Sequence, residues 1–462
     1  MSNELTDAES FSRPAKALVD AGIVGSFGDA GAHLHKARPQ VAVGVDAVTA
    51  AHHAAVLTIV ETACRAFGNV DILLPDTIAT TACLVPGLGA LTLGDSVRNT
   101  GATVVRTMDQ SRPVLVVGEV AVVGVRTLQV TWDGWFAHVD VNGQRLPERG
   151  NMPLSAVAAG ALAVTECFKV LLGDLEATYR NRSLNLWQPA IAAYPTGADL
   201  PGPNLVGPVV KYLPSQAWIV GLGHLGQAFA WCWRLLPYLD RSQCLVVLHD
   251  FDKVSVANRT TGVFTQPGDV GRMKTRVVAA ALEEAGFATR LIERRLAEET
   301  RRQPQEPTLA LLGMDKVEPR RLISGVGWEF AVDVGLGSGP IDFTGVSIHT
   351  FPAAGNSGAL QAWKQTESGR RAASARAQQA YRDAAAGGAS SCGLVQLSET
   401  AVAAPFVGVI AACIAVSEPI RVLHGQDATE AAAIDVGRRQ SWQRETKPTR
   451  APIAYVSADP NE

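Results

Sequence analysis

None of the seven cysteines, at positions 64, 83, 167, 232, 244, 392 and 413, stands in a Cys-x-x-Cys pair, so no zinc site of that kind is encoded. The opening MSNELTDAES has none of the apolar run of a secretory signal, and reduced thiols in the cytoplasm are expected. The longest apolar run, Ala401 to Val416, is broken by Pro405 and bounded by Glu399 and Glu418. That is short for a membrane span and reads as a core helix, so no membrane partner is expected. A formal net charge of -3 leaves no basic stripe to track phosphates, which argues against nucleic acid as a partner. His33 with His35, and the His52-His53 pair, have no acidic or cysteine partner at a ligand spacing and read as surface or core histidines.

What is present is an apolar chain of 462 residues, 47% hydrophobic and 18% charged, long enough for two or three domains. Proline and glycine cluster in YPTGADLPGPNLVGP, Tyr194 to Pro208, which reads as a linker between halves 1–205 and 206–462. The halves share an internal repeat: Pro153 to Gly173 aligns without a gap on Pro405 to Gly425. Glu166 matches Glu418, and each segment reads as an alanine-rich buried helix closed by a C-cap glycine. The first half has strand-like runs at Val41 to Val45, Val70 to Leu74, Val114 to Val117 and Thr127 to Thr131, which makes it mixed α/β.

The stretch Trp218 to Lys274 is the most informative. A short apolar strand runs into Gly221, Gly223 and Gly226 and then a helix that Pro237 stops, the glycine pattern of a nucleotide-binding turn. Trp231 and Trp233 on that helix read as packing residues. A second strand, Cys244 to Leu248, ends in Asp250, where a carboxylate accepts ribose hydroxyls. Asp252, Asn258, Arg259 and then Asp269 to Lys274 follow, a polar set that a dinucleotide-dependent reductase does not require. Lys274 suits neutralisation of a triphosphate, with Asn258 donating to it. After the strand Thr308 to Leu312, Asp315 stands at a strand's C-terminal end, where open parallel sheets place their ligands and where a carboxylate facing a triphosphate holds magnesium.

In these residues the chain resembles the ThiF-like adenylating family, and within it the ubiquitin-activating enzymes of bacterial ubiquitin-like conjugation systems. Gly221, Gly223, Gly226, Asp250, Asp252, Val254, Asn258, Asp269, Gly271, Lys274 and Asp315 fall in the family's order. Two positions depart: Ala257 stands for the family's serine and Thr261 for its arginine, while Arg259 comes two places early. The phosphate-contacting arginine is then either Arg259 or one from elsewhere, with Arg13 and Arg38 of the first half among the candidates. The resemblance implies a Rossmann-like adenylation fold in two duplicated domains, one degenerate and one active, forming a pseudo-dimer. The first half lacks the glycine pattern, the Asp-x-Asp and the lysine, and would be the degenerate copy.

The resemblance further implies ATP and Mg2+ as cofactors, with Asp315 holding the metal, and a ubiquitin-like protein as the substrate. Its C-terminal carboxylate would be adenylated, taken as a thioester on a catalytic cysteine, and passed to a ubiquitin-conjugating-like enzyme. Cys392 has the family's location for that cysteine, at the end of a crossover loop of about 355–392. Arg370, Arg371, Arg376 and Arg382 upstream would favour its thiolate, whereas Cys64, Cys167, Cys232, Cys244 and Cys413 sit in apolar segments and read as inert. A thiocarboxylate or amide product, a homodimer and a role in antiviral defence all stay open on resemblance alone. The competing readings are an NAD-dependent oxidoreductase, which uses only the glycines and Asp250, and a non-catalytic scaffold, suggested by Ala257 and Thr261.

Overall fold

The computed structural model describes residues 12–122, 125–191, 193–195, 201–337, 339–340, 342–353, 375–386, 402–437, 443–448 and 451–459. In the first half, strands β1 (Gln40–Val43), β2 (Asp71–Leu73), β3 (Thr103–Val104), β4 (Val114–Val117), β5 (Thr127–Asp133), β6 (Phe136–Asp140) and β7 (Arg182–Asn185) form one sheet. Its order is β3-β2-β1-β4-β5-β6-β7. The first five strands are parallel and the last two antiparallel. β1 and β4 read QVAV and VLVV and are buried throughout, as continuous apolar runs are when both faces of a parallel sheet are covered.

The second half repeats this plan. β9 (Gln216–Val220), β10 (Leu245–His249), β11 (Ala288–Ile292), β12 (Leu309–Leu312), β13 (Phe330–Leu336), β14 (Gly345–Phe351), β15 (Ala428–Asp435) and β16 (Gln443–Lys447) stand in the order β11-β10-β9-β12-β13-β14-β15-β16. Again the first five are parallel and the rest antiparallel. Both sheets reverse their strand order beside their first strand, the Rossmann-like switch point at which such folds bind nucleotides. A two-stranded ribbon of β8 (Tyr212–Pro214) and β17 (Tyr455–Ser457) stands apart from them.

The repeated helices occupy one topological place. Pro153–Leu171 joins β6 to β7, and Pro405–Leu423 joins β14 to β15. Each carries proline in its first turn, and each is followed by a left-handed glycine, Gly173 (φ 79) and Gly425 (φ 82). Both are long and apolar enough to cross a membrane, yet 94% and 89% of their apolar windows lie inside the protein. They pack on each other and on the helices Ala50–Phe67 and His224–Leu235, so one core runs through both halves, from Val41 of the first sheet to Ile219 of the second.

The matched glutamates explain why this arrangement is specific. Glu166 accepts from Lys169 Nζ (2.9 Å), Arg182 Nε (2.9 Å) and the Thr178 N–H (3.1 Å). Glu418 accepts from Arg421 Nη1 (2.6 Å), Thr429 Oγ1 (2.7 Å) and the Thr429 N–H (3.1 Å). In each half the cation three residues on then reaches across: Lys169 donates to the carbonyl of Gly437, and Arg421 Nε to that of Trp187 at 3.0 Å. Gly437 and Trp187 each stand two residues beyond the matching strands β15 and β7, so the halves meet about a pseudo-twofold axis.

Arg421 and Glu418 are each 1% exposed. Removing one partner of such a buried pair strands the other charge, at a typical cost of about 3–5 kcal/mol. Arg421→Ala is therefore expected to lower unfolding free energy by that amount in a denaturant titration; a loss under about 1 kcal/mol would show that the cross-half bond contributes little.

Candidate nucleotide site

The crevice lies where β9, β10 and β12 end. Register pairs Val220 with His249 and with Leu312, so the residues that follow, Gly221, Asp250 and Gly313, emerge side by side. Gly221 has φ 79, and a Cβ there would lie 2.9 Å from the Gly313 carbonyl oxygen. Gly226 is excluded from any side chain, because its Cβ would fall 1.9 Å from the Gly221 oxygen. Gly223 differs: a Cβ there would meet nothing within 4 Å. It precedes the helix His224–Leu235, whose first turn no side chain caps, so the N–H groups and positive end of a twelve-residue helix face this open space.

Asp250 is buried, and both its oxygens are taken, one by the Leu222 N–H at 2.6 Å and one by the Asp252 N–H at 2.8 Å. Burial raises its ionisation above the usual carboxylate range, against the pull of the Lys274 charge. Lys274 is 9% exposed and extends to Asp252 Oδ2 at 3.0 Å, while its own N–H binds the Asp252 carbonyl at 3.0 Å. The loop that glycine motif and aspartate define is thus tied to the lysine that follows it. Asp315 is exposed at the end of β12. Beneath it, Asp333 is fully buried and pushed up to about 6, with Arg320 opposing that shift.

Asn258 has a structural role here. Its Oδ1 accepts the Ser255 N–H at 2.9 Å, half of a capping box that opens the short 3-10 helix Val256–Thr260. The spacing Ser255-x-x-Asn258 carries that signal in the sequence. The Arg259 side chain is exposed. Of the first-half candidates, Arg38 is engaged within its own half by Asp71 at 3.1 Å, whereas Arg13 meets the second half through its main chain, its backbone N–H donating to Thr260 Oγ1 at 3.3 Å.

Sequence reasoning missed Arg65. From the first-half helix Ala50–Phe67 it donates to the carbonyls of Arg259 (3.1 Å), Val263 (2.9 Å) and Thr265 (2.7 Å), with Glu61 holding it at 3.0 Å. It also missed Gln227, whose side chain accepts the Phe264 N–H at 3.0 Å and so braces the same loop from below. Contacts of Arg65 to backbone carbonyls some 200 residues away leave no local pattern to read.

At the matching switch point of the first half the space is filled. Gly44 and Gly118 stand where the second half has Gly221 and Gly313, and a Cβ on either would lie 2.5 or 2.6 Å from Asp46 Oδ1. Asp46 accepts the Glu119 N–H at 2.7 Å and pairs with Arg145 at 2.6 Å, and Arg145 continues to Glu148 at 2.6 Å and Glu148 to His52 at 3.1 Å. The chain's own carboxylate occupies the anion position, and Pro75 stands where the second half has Asp250, counting along the paired strands.

Cys392 lies outside the described residues, as does most of the 355–392 loop. Within that loop, the helix Ala375–Ala386 is described, and its Tyr381 donates to Asp20 at 3.0 Å and packs edge-on against Phe27. Cys64 and Cys244 are pushed up to about 12 by burial, and Cys167 and Cys413 are raised as well, so these are poor nucleophiles.

The two glycines give a paired expectation. Gly226→Ala should cost about 1–3 kcal/mol through backbone overlap, whereas Gly223→Ala should leave stability within about 0.5 kcal/mol and weaken ATP about tenfold by intruding on the open space. Thermal unfolding with calorimetric ATP titration separates the two; equal behaviour would mean that the space beside Gly223 is not the ligand's.

Two family models match the chain, one in each half. Residues 38–186 match the BilD N-terminal domain and residues 213–426 the BilD C-terminal domain. A bacterial E1-like protein BilD from Collimonas sp. (strain OK412) is 36% identical over 436 residues, covering 93% of this chain and 92% of that protein. Solved structures are far more distant. E. coli MccB with AMPCPP and MccA is 11% identical, over 52% of this chain and 66% of that one, with a TM-score of 0.33. The E. coli tRNA N6-threonylcarbamoyladenosine dehydratase TcdA with ATP is 17% identical over 24% of this chain and 44% of that one, with a TM-score of 0.21. Such scores carry no argument, but the full-length relative and both domain matches do: the chain belongs to the BilD family of bacterial E1-like proteins.

Proposed function

We propose that this chain activates the C-terminal carboxylate of a ubiquitin-like protein with ATP in its second half, holds the product as a thioester on Cys392 and passes it to a conjugating enzyme in the cytoplasm. The observation that carries this reading is the convergence of the open glycine turn, buried Asp250, and Lys274 tied to Asp252, on the switch point of the second sheet.

The chemistry matches these groups. A carboxylate oxygen attacks the α-phosphorus while the bond to the departing pyrophosphate breaks, and both reactants are anionic. The helix N-terminus and Lys274 offset that repulsion and the charge that builds in the transition state. Lys274 must exchange Asp252 for phosphate, a move of one side chain already extended to the crevice. Asp250, with two backbone donors fixing it, suits the ribose hydroxyls. In the second step a Cys392 thiolate attacks the acyl carbon and AMP leaves.

Asp315 is the carboxylate that would hold magnesium. No group of three or more His, Cys, Asp or Glu side chains gathers into a metal cage among the described residues. One carboxylate with nucleotide phosphates completing the shell is how magnesium is commonly bound. Bound there, the ion would supply positive charge to the phosphates.

Calorimetric titration of ATP with magnesium, against NAD and NADP, is expected to give binding for ATP alone. Lys274→Ala should weaken it at least about tenfold; NAD binding insensitive to Lys274 would return the chain to the oxidoreductases. Cys392→Ala should keep adenylate formation and lose transfer of the modifier, and unchanged transfer would reject the thioester step.

A further inference from the structure

Asp315 stands on the turn after β12, which the Gly313 N–H ties to the Val220 carbonyl at 2.9 Å and one side chain, Arg320, grips at Met314. Arg320 donates to the Met314 carbonyl through both Nε (3.1 Å) and Nη2 (2.5 Å). Its Nη2 also reaches the Val334 carbonyl at 2.9 Å, and its Nη1 lies 3.3 Å from Asp333 Oδ2. Register sets these parts in place: Leu312 of β12 pairs with Asp333 of β13, so the carboxylate lies directly beside the strand end that becomes the Asp315 turn. The room for the guanidinium is kept by Gly335, where a Cβ would come within 3.1 Å of Arg320 Nη1.

The pair is expensive for a merely structural contact. Asp333 is 0% exposed and Arg320 12%, and neither Asp333 oxygen has a hydrogen bond among the described residues. A buried carboxylate with a single ionic partner is costly, and an apolar residue would fill the strand position at less cost. What the pair does achieve is orientation. Asp333 draws the Nη1 end of the guanidinium by charge, while its Nε and Nη2 grip the residue before Asp315.

We propose that Arg320, braced by Asp333, is the positioning residue for Asp315: it pins the Met314 carbonyl so that the Asp315 carboxylate faces the nucleotide. This rests on the reading of Asp315 as the magnesium carboxylate. The guanidinium touches neither nucleotide nor metal; it acts through the turn. Lysine at this position keeps the charge toward Asp333 but cannot also hold two carbonyls in the guanidinium's plane.

The test uses the full chain and ATP affinity measured by calorimetry across magnesium concentrations, with an EDTA arm. Asp315→Asn should remove the magnesium dependence and leave the EDTA affinity within about twofold of wild type. Arg320→Lys should raise the magnesium concentration for half-maximal effect about tenfold, again with the EDTA affinity and melting temperature nearly unchanged. The double variant should match Asp315→Asn alone, because one residue acts through the other. An unchanged magnesium midpoint in Arg320→Lys, or an equal loss in EDTA, overturns the proposal, as does a double variant worse than Asp315→Asn. If Asp315→Asn keeps the wild-type magnesium dependence, the reading of Asp315 fails and the positioning role fails with it. Should Arg320→Lys not fold, the near-isosteric Asp333→Asn takes its place: a raised magnesium midpoint supports the brace, and a wild-type midpoint rejects it.

Discussion

Two buried glutamates, Glu166 and Glu418, are the constraint on which the rest of the molecule depends. Each ends a long apolar helix, gathers the start of the following loop or strand, and aims a cation at a carbonyl of the other half. A purely apolar interface between alanine-rich helices could slide, since small side chains give shallow ridges. Charged pairs buried at matched positions fix its register, the role for which buried ion pairs are best attested. The crevice at the ends of β9, β10 and β12 inherits that precision, because the helix at its glycine turn packs on the Pro405–Leu423 helix.

The duplication is symmetric in scaffold and asymmetric in chemistry. Both sheets have glycines at their switch points, so both keep the backbone for a ligand. In the first half an aspartate from the loop itself fills that place and is locked there by Arg145. In the second half the aspartate comes from the neighbouring strand, binds the loop from the side and leaves the front of the turn open. Moving one carboxylate by one strand separates a closed site from an open one.

Much of the fold was legible in the sequence because backbone geometry demanded particular residues. Gly221 and Gly226 are required by a positive φ and a close backbone approach, Gly173 and Gly425 by helix termination, and the apolar strands by burial on both faces. The repeat was visible as matched Pro, Glu and Gly positions, although what the glutamates do was not. Asn258 shows a second role beside the one its motif implies: its Oδ1 accepts the Ser255 N–H, which engages the amide oxygen and not the N–H groups that would donate to phosphate. Arg65, Gln227 and the Arg320–Asp333 pair stayed hidden because their partners are carbonyls, N–H groups and register neighbours, which have no sequence signature.

The grip of Arg65 on the loop after Arg259 has an evolutionary consequence. In an ancestor made of two identical chains, each copy would have served both as a site and as the clamp on its partner's site. In the single chain the clamp still runs from the first half to the second, through Arg65. The helix Ala50–Phe67, which carries Arg65, therefore answers to the second half as well as to its own sheet. A substitution at Arg65 thus acts on a loop of the other half, some 200 residues away in the chain.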